Sequence, residues 1–119
     1  MIFGGVIMGK RLISANASEI LNMTAAELKQ SIKASEGRTI LSENVAPRES
    51  FIGDITNSEI ARAFGADLIL LNGVDVLNPY IFGLDMKEGN FVDQLHHLVG
   101  RPIGVNLEPV DLDADMAED

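Results

Sequence analysis

The chain has 119 residues, 46% of them hydrophobic and 23% charged, and its formal net charge at pH 7 is −9. This length allows one domain with a modest core, and the composition is typical of a globular chain rather than a disordered one. The negative charge argues against nucleic acid or an anionic membrane as partner, because both bind positive surfaces. With no cysteine in the sequence, disulfides, thiolate chemistry and zinc–sulfur sites are excluded.

The start of the chain, MIFGGVIMGKR, is mildly apolar and has no basic residue ahead of its apolar stretch. That stretch is too short for a secretory signal or a membrane span, so the cytoplasm is the expected location. Residues 1–9 are expected to be disordered or to form an extra edge segment. Alternatively, translation begins at Met8.

Three segments have the end signals of helices. TAAELKQSIKASEG opens with the capping box Thr24–Glu27, and the second helix opens with the same arrangement, Thr56–Glu59. The third follows Asn90 and covers residues 91–99. Glycines stand where these helices should end, and a shorter turn, residues 17–21, precedes the first. The predicted ends are at Gly37, Gly65 and Gly100.

Apolar runs between the helices predict three strands. The first is a short buried strand, Thr39 to Leu41, that ends in the polar residues of SEN, and the others are DLILLNGV and IGVNLEPV. An apolar run without alternation is typical of a strand covered on both faces. The order helix, strand, helix, strand, helix, strand therefore predicts parallel βα units in an α/β fold.

Polar side chains follow each apolar run. Ligands of parallel α/β folds bind at the carboxyl ends of the strands. A repeated polar strand end therefore predicts a binding site at one edge of the sheet. The residues are Glu43 and Asn44 after the first strand, Asn72 and Asp75 after the second, and Asn106 and Glu108 in the third.

The runs RTILSENVAP, SEIARAFGADLILLNGVDVLNP and GRPIGVNLEPVD together resemble the N-terminal part of a (β/α)8 TIM barrel. More narrowly, residues 10–119 resemble a bacterial family of uncharacterised TIM-barrel proteins labelled phosphoenolpyruvate phosphomutase-like. They are distantly similar to the isocitrate lyase and phosphoenolpyruvate mutase superfamily. Asn72–Gly73 stands where that superfamily has Ser-Gly, and Asn106-Leu107-Glu108 stands where it has a magnesium-binding Asp-x-Asp.

A complete barrel of this kind needs about 250 residues. The resemblance therefore implies that residues 1–119 are a single partial TIM-barrel domain ending in an acidic tail, residues 111–119. Three strands of a barrel leave one edge unpaired and one apolar wall open. We expect a homo-oligomer on that ground, most simply a symmetric dimer that buries the open face.

Two carboxylates are the candidate catalytic residues, Glu43 and Glu108. Glu108 would bind Mg²⁺ directly or through water, since hard cations prefer oxygen ligands. Glu43 would be the second carboxylate at the same site, with general base as its alternative role. The alternative for Glu108 is a solvated loop carboxylate. His96 and His97 lie in the third helix, outside any barrel, and are not expected to reach the strand ends.

Four residues are candidates for substrate binding. Asn72 and Asn106 would orient a carbonyl or carboxylate of the substrate by hydrogen bonds. Asp75 is the third candidate. The alternatives are a turn-forming role for Asn72 and a structural loop role for Asp75. Arg48 could clamp a phosphate or carboxylate, or form a surface ion pair with Glu49 or Asp54.

Two functions are consistent with these residues. In the first, the chain is the N-terminal portion of a TIM-barrel lyase or mutase that acts on a small anionic metabolite, a 2-oxo acid or a phosphonate or phosphate, with Mg²⁺. We expect this short chain by itself to be inactive. In the second, the chain is a non-catalytic partial-barrel module that oligomerises. Fold alone does not decide between them.

Overall fold

The computed structural model of the chain describes residues 2–3, 6–7, 10–86 and 89–107, in which four helices and a three-stranded parallel sheet form a small α/β unit. None of the described helices is long and apolar enough to cross a membrane. In chain order the elements are β1 (Ile2–Phe3), β2 (Val6–Ile7), a 3-10 turn (Leu12–Ser14), α1 (Ala17–Leu21), α2 (Ala25–Ala34), β3 (Leu41–Val45), α3 (Asn57–Ala63), β4 (Leu68–Asn72), α4 (Phe91–Val99) and β5 (Ile103–Val105).

The main sheet has the strand order β3–β4–β5, with both pairs parallel. The predicted parallel arrangement in chain order is therefore confirmed. Each strand is joined to the next through a helix, as parallel neighbours require. β1 and β2 pair antiparallel in a separate two-stranded sheet.

The first strand differs from the prediction. It begins at Leu41 instead of Thr39 and continues through Glu43 to Val45, and it is not buried. Ile40 and Leu41 are 57% and 56% exposed. The physical reason is that β3 is an edge strand whose bounds are set by pairing with β4, from Leu41 opposite Leu68 onward, and not by its own apolar residues.

The two faces of the sheet are covered unequally. Ile69 and Leu71 of β4 are 1% and 0% exposed and pack in a core with Leu95 and Val99 of α4. We call the opposite side the open face, because its residues are half-buried or exposed. The prediction of a strand covered on both faces therefore holds fully for the face of β4 that packs against α4, while its residues on the other face are half-buried. Within the strands the open face comprises Leu41, Glu43, Val45, Leu68, Leu70, Asn72 and Gly104.

Reciprocal capping sets the starts of three helices. The predicted boxes Thr24–Glu27 and Thr56–Glu59 are both present, and α1 begins with a third, Asn16–Glu19, that was not predicted. In each box the cap side chain and the carboxylate satisfy one another's backbone N–H groups. α4 begins after Asn90 and ends at Gly100, which has a left-handed φ of 72°.

The N-terminal helices cover the amino end of the open face. Leu12, Ala15 and Ile20 form a second buried cluster that packs against Leu68, the first residue of β4. A guanidinium nitrogen of Arg101 donates a hydrogen bond to the carbonyl of Ala15 at 3.4 Å. The open face is thus covered at the amino ends of its strands, whereas Glu43 and Val45, toward the carboxyl end of β3, are exposed.

Candidate functional site

The register of the sheet brings polar side chains to its carboxyl end. Glu43, Leu70 and Gly104 lie side by side in one row, so the side chains of Glu43 and Leu70 share the open face. Asn72 is two residues beyond Leu70 on the same face. Asn106 continues β5, because its backbone N–H donates to the carbonyl of Leu71 at 2.9 Å. Strand alternation therefore directs Glu43, Asn72 and Asn106 to one side of the sheet.

Glu43 and Asn106 contact one another. The Asn106 amide Nδ2 donates a hydrogen bond to Glu43 Oε2 at 3.4 Å, across the width of the sheet from β3 to β5. This distance is long for a hydrogen bond to a charged acceptor, so the interaction is weak and easily exchanged for a ligand. Glu43 is exposed, which leaves its carboxylate accessible to solvent.

Asn72 forms a turn as well as facing this site. Its Oδ1 accepts a hydrogen bond from the backbone N–H of Gly73 at 2.8 Å. Gly73 has a φ of 74°, and a Cβ there would lie 3.3 Å from Val45 Cγ1. The turn alternative for Asn72 is therefore present. Among the described residues its Nδ2 has no hydrogen-bond partner and can donate to a ligand.

Arg48 and Asp75 lie in the loops after β3 and β4. Arg48 is exposed, and the ion pair found among the described residues joins Lys10 and Glu19, so neither Glu49 nor Asp54 holds its guanidinium. Asp75 Oδ1 accepts a hydrogen bond from Leu77 N at 3.0 Å. Asp75 thus has the loop role that was its alternative, while Arg48 remains available at the carboxyl end of the sheet.

Glu108, the candidate metal ligand and second catalytic carboxylate, lies outside the described residues. Within the part that is described, no three His, Asp or Glu residues lie close enough together to hold a metal ion. The oxygen donors that the open face does offer are one carboxylate, on Glu43, and the amides of Asn72 and Asn106. Mg²⁺ commonly binds through one or two carboxylates plus substrate oxygens, so this donor set fits Mg²⁺ only together with a ligand.

Polar residues that the sequence analysis did not single out hold the sheet. Asp67 is 8% exposed, and its Oδ2 accepts a hydrogen bond from Ile40 N at 2.9 Å. Arg101 lies near it, and burial lowers the pKa of Arg101 below its usual value; Arg62 acts in the same direction and Asp67 opposes them. Asn44, by contrast, was predicted to lie with Glu43 at the strand ends. That prediction is wrong, because Asn44 lies on the core face, where it donates to Ser58 Oγ at 3.2 Å and supports α3. Polar residues flanking an apolar run are the signal that could have indicated these roles.

The fold and this edge define a small α/β protein whose parallel strands end at a polar, accessible face. The model of one family, described as a domain of unknown function (DUF7916), matches residues 13–119. The chain therefore belongs to the DUF7916 family. No curated protein and no solved structure matches it.

Proposed function

We propose that the three parallel strands and their connecting helices are an arc of a (β/α)8 barrel that binds a small anionic metabolite at the carboxyl ends of its strands. The observation that supports this most is the contact between Glu43 and Asn106 on the open face. The opposite face is packed against α3 and α4, as the outside of a barrel is packed against its helices. Active sites of such barrels lie at the carboxyl ends of the strands.

The accessible groups indicate the chemistry of the ligand. Asn72 and Asn106 offer amide donors, and Arg48 offers a guanidinium suited to a carboxylate or phosphate. Glu43 would repel an anion unless a cation lies between them. In this proposal Glu43 and Glu108 would hold Mg²⁺, which would supply the positive charge that polarises an oxygen of the ligand.

The class of reaction rests on the resemblance to phosphoenolpyruvate phosphomutase-like proteins. It is the cleavage or rearrangement of a carbon–carbon or carbon–phosphorus bond at a 2-oxo acid. In that reaction Asn72 and Asn106 orient the substrate, and Glu43 or Glu108 acts as general base. A three-stranded arc offers only part of a barrel site, so we expect binding without turnover from this chain alone.

Isothermal titration calorimetry with Mg²⁺ and pyruvate, the simplest 2-oxo acid, tests this proposal. We expect pyruvate to bind only when Mg²⁺ is present, and Glu43→Gln to abolish binding. Glu49→Gln is the matched control, since Glu49 is an exposed carboxylate in the loop after the same strand. Binding that is unaffected by Glu43→Gln, or absent from the unaltered protein, would contradict the proposal. A lyase assay on the same samples should show no turnover.

The second candidate function is a non-catalytic module that oligomerises through the open face. Leu41 and Val45 are 56% and 43% exposed there, and among the described residues β5 pairs on one side only. Exposed apolar residues on a sheet that also has an unpaired edge favour association with a second copy. Sedimentation at micromolar concentration should show a dimer that Val45→Asp dissociates, whereas Leu77→Asp, in an exposed loop, leaves it intact. A monomer at all concentrations would exclude this function.

A further inference from the structure

A cleft of about 230 Å³ has a lining that includes neither Glu43 nor Asn106. It is formed where α1 and α2 approach α4 and the start of β5. Most of its walls are apolar and come from Ile20, Met23, Leu28, Val92, Pro102 and Ile103. The polar residues Thr24, Asp93 and His96 line it as well. An apolar cavity of about 150 Å³ is sufficient for benzene, so this volume accommodates a small bicyclic molecule.

Among the polar residues that line this cleft, His96 has a ring held in place by a hydrogen bond. Its Nδ1 lies 2.8 Å from the carbonyl oxygen of Arg101. Because a carbonyl oxygen can only accept, Nδ1 carries the hydrogen of this bond, and in the neutral ring Nε2 is left as an acceptor. Within the described residues Nε2 has no protein partner, and it is not among the polar atoms that are sealed from solvent.

We propose that this cleft binds a small apolar molecule that carries one N–H or O–H donor. The apolar walls take the body of the ligand, and His96 Nε2 accepts its hydrogen bond. The bond from Nδ1 to Arg101 fixes both the orientation of the ring and its tautomer, so the acceptor is formed before the ligand arrives. Small-molecule sites typically combine apolar walls with a small number of polar groups that fix the orientation of the ligand.

Two probes of nearly equal shape separate the contributions of the walls and of His96. Indole has an N–H donor, and 1-methylindole has the same rings without it. Since one hydrogen bond contributes about 0.5–1.5 kcal/mol, indole should bind about two- to twelvefold more tightly than 1-methylindole. Chemical shifts of the Val92 and Ile103 methyl groups and of the His96 ring nitrogens report binding in an NMR titration.

His97→Gln is the matched control for His96→Phe. The two histidines are neighbours in α4, and His97 also bonds a backbone carbonyl through Nδ1, at 2.8 Å from the carbonyl oxygen of Asp93, but it does not line the cleft. The centroids of the two rings lie 5.8 Å apart, so His97→Gln also shows whether loss of this ring contact alone changes binding. We expect His96→Phe to abolish the preference for indole and His97→Gln to keep it.

Ala25→Phe provides a second test that leaves both histidines in place. Ala25 lines the cleft and is otherwise exposed, so the larger side chain fills the cleft without entering the core. Loss of binding of both probes in this variant supports the proposal. Equal affinity for indole and 1-methylindole, or shifts that bypass Val92 and Ile103, would overturn it. So would the absence of any shift at millimolar indole.

Discussion

Asn106 donates a hydrogen bond to Glu43 although 63 positions separate them in the sequence. The contact exists because β4 lies between their strands in a fixed parallel register, with Glu43 beside Leu70 and Leu70 beside Gly104. Asn106 lies two residues past Gly104, on the same face, so the two side chains meet diagonally above Leu70. A slip of one residue in either pairing would send one of them to the opposite face.

Replacing Asn106 with aspartate places a second carboxylate beside Glu43. Two unit charges about 4 Å apart interact by about 1 kcal/mol even in water, so the added carboxylate should raise the affinity for Mg²⁺ about fivefold or more. Calorimetric titration with Mg²⁺ measures the change. Asn78→Asp, which adds the same charge in an exposed loop, should change the affinity far less. Equal changes in affinity in the two variants would indicate that the added charge attracts Mg²⁺ non-specifically, without a binding site at Glu43.

The unequal faces of the sheet predict unequal costs of truncating leucines. Leu71→Ala removes a fully buried side chain from the core and should lower the free energy of unfolding by about 2–5 kcal/mol. Leu41→Ala, at a position 56% exposed on the open face, should cost less than about 1 kcal/mol. Urea denaturation followed by circular dichroism measures both. Similar losses would mean that the open face is covered in solution.

Gly83 should be far less tolerant of alanine than Gly37. Both have a left-handed φ, 86° and 78°, which costs a residue with a Cβ about 1–3 kcal/mol. A Cβ at Gly83 would also lie 2.6 Å from the carbonyl oxygen of Asp54, whereas nothing lies within 4 Å at Gly37. Gly83→Ala should therefore lose clearly more stability than Gly37→Ala in the same denaturation experiment. Equal losses would show that the approach to Asp54 is not maintained.

The capping box of α1 should weaken in acid. The backbone N–H of Asn16 donates to the Glu19 carboxylate and lowers the pKa of that carboxyl below its ordinary value of 4.5, and Lys10 adds to the effect. Since the folded-state pKa is the lower one, the stabilisation is complete above 4.5 and is lost as the pH falls through the folded value. A carbon-13 NMR titration of Glu19 should show a midpoint below 4.5. In Glu19→Gln, this contribution to the pH dependence should vanish.

Local signals predicted the helices well. Thr24–Glu27 and Thr56–Glu59 are capping boxes because the side-chain and backbone partners lie within one turn, so four residues of sequence contain the whole interaction. Gly100 likewise ends α4 in the left-handed conformation that glycine tolerates best. Such features depend little on the rest of the fold.

Prediction of the sheet and of the candidate site depended on residues that are distant in the sequence. The parallel order followed from alternating helices and apolar runs, and the shared edge of Glu43 and Asn106 followed from that order. The bounds of β3 could not be predicted from that order, because its polar residues belong to the strand only through pairing with β4. The turn at Asn72 and the loop at Asp75 could be foreseen only as alternatives, since both residue types bind ligands and backbone equally well.

The side-chain amide of Asn106 gives the most direct test of the central claim, that the carboxyl end of the open face binds a metabolite with Mg²⁺. Its ¹H–¹⁵N signals should shift and saturate when pyruvate is added in the presence of Mg²⁺, and should stay unchanged in Glu43→Gln. The amide of Asn78, in an exposed loop, serves as the internal reference. Asn106 signals that do not move, or that move no more than those of Asn78, would contradict the account.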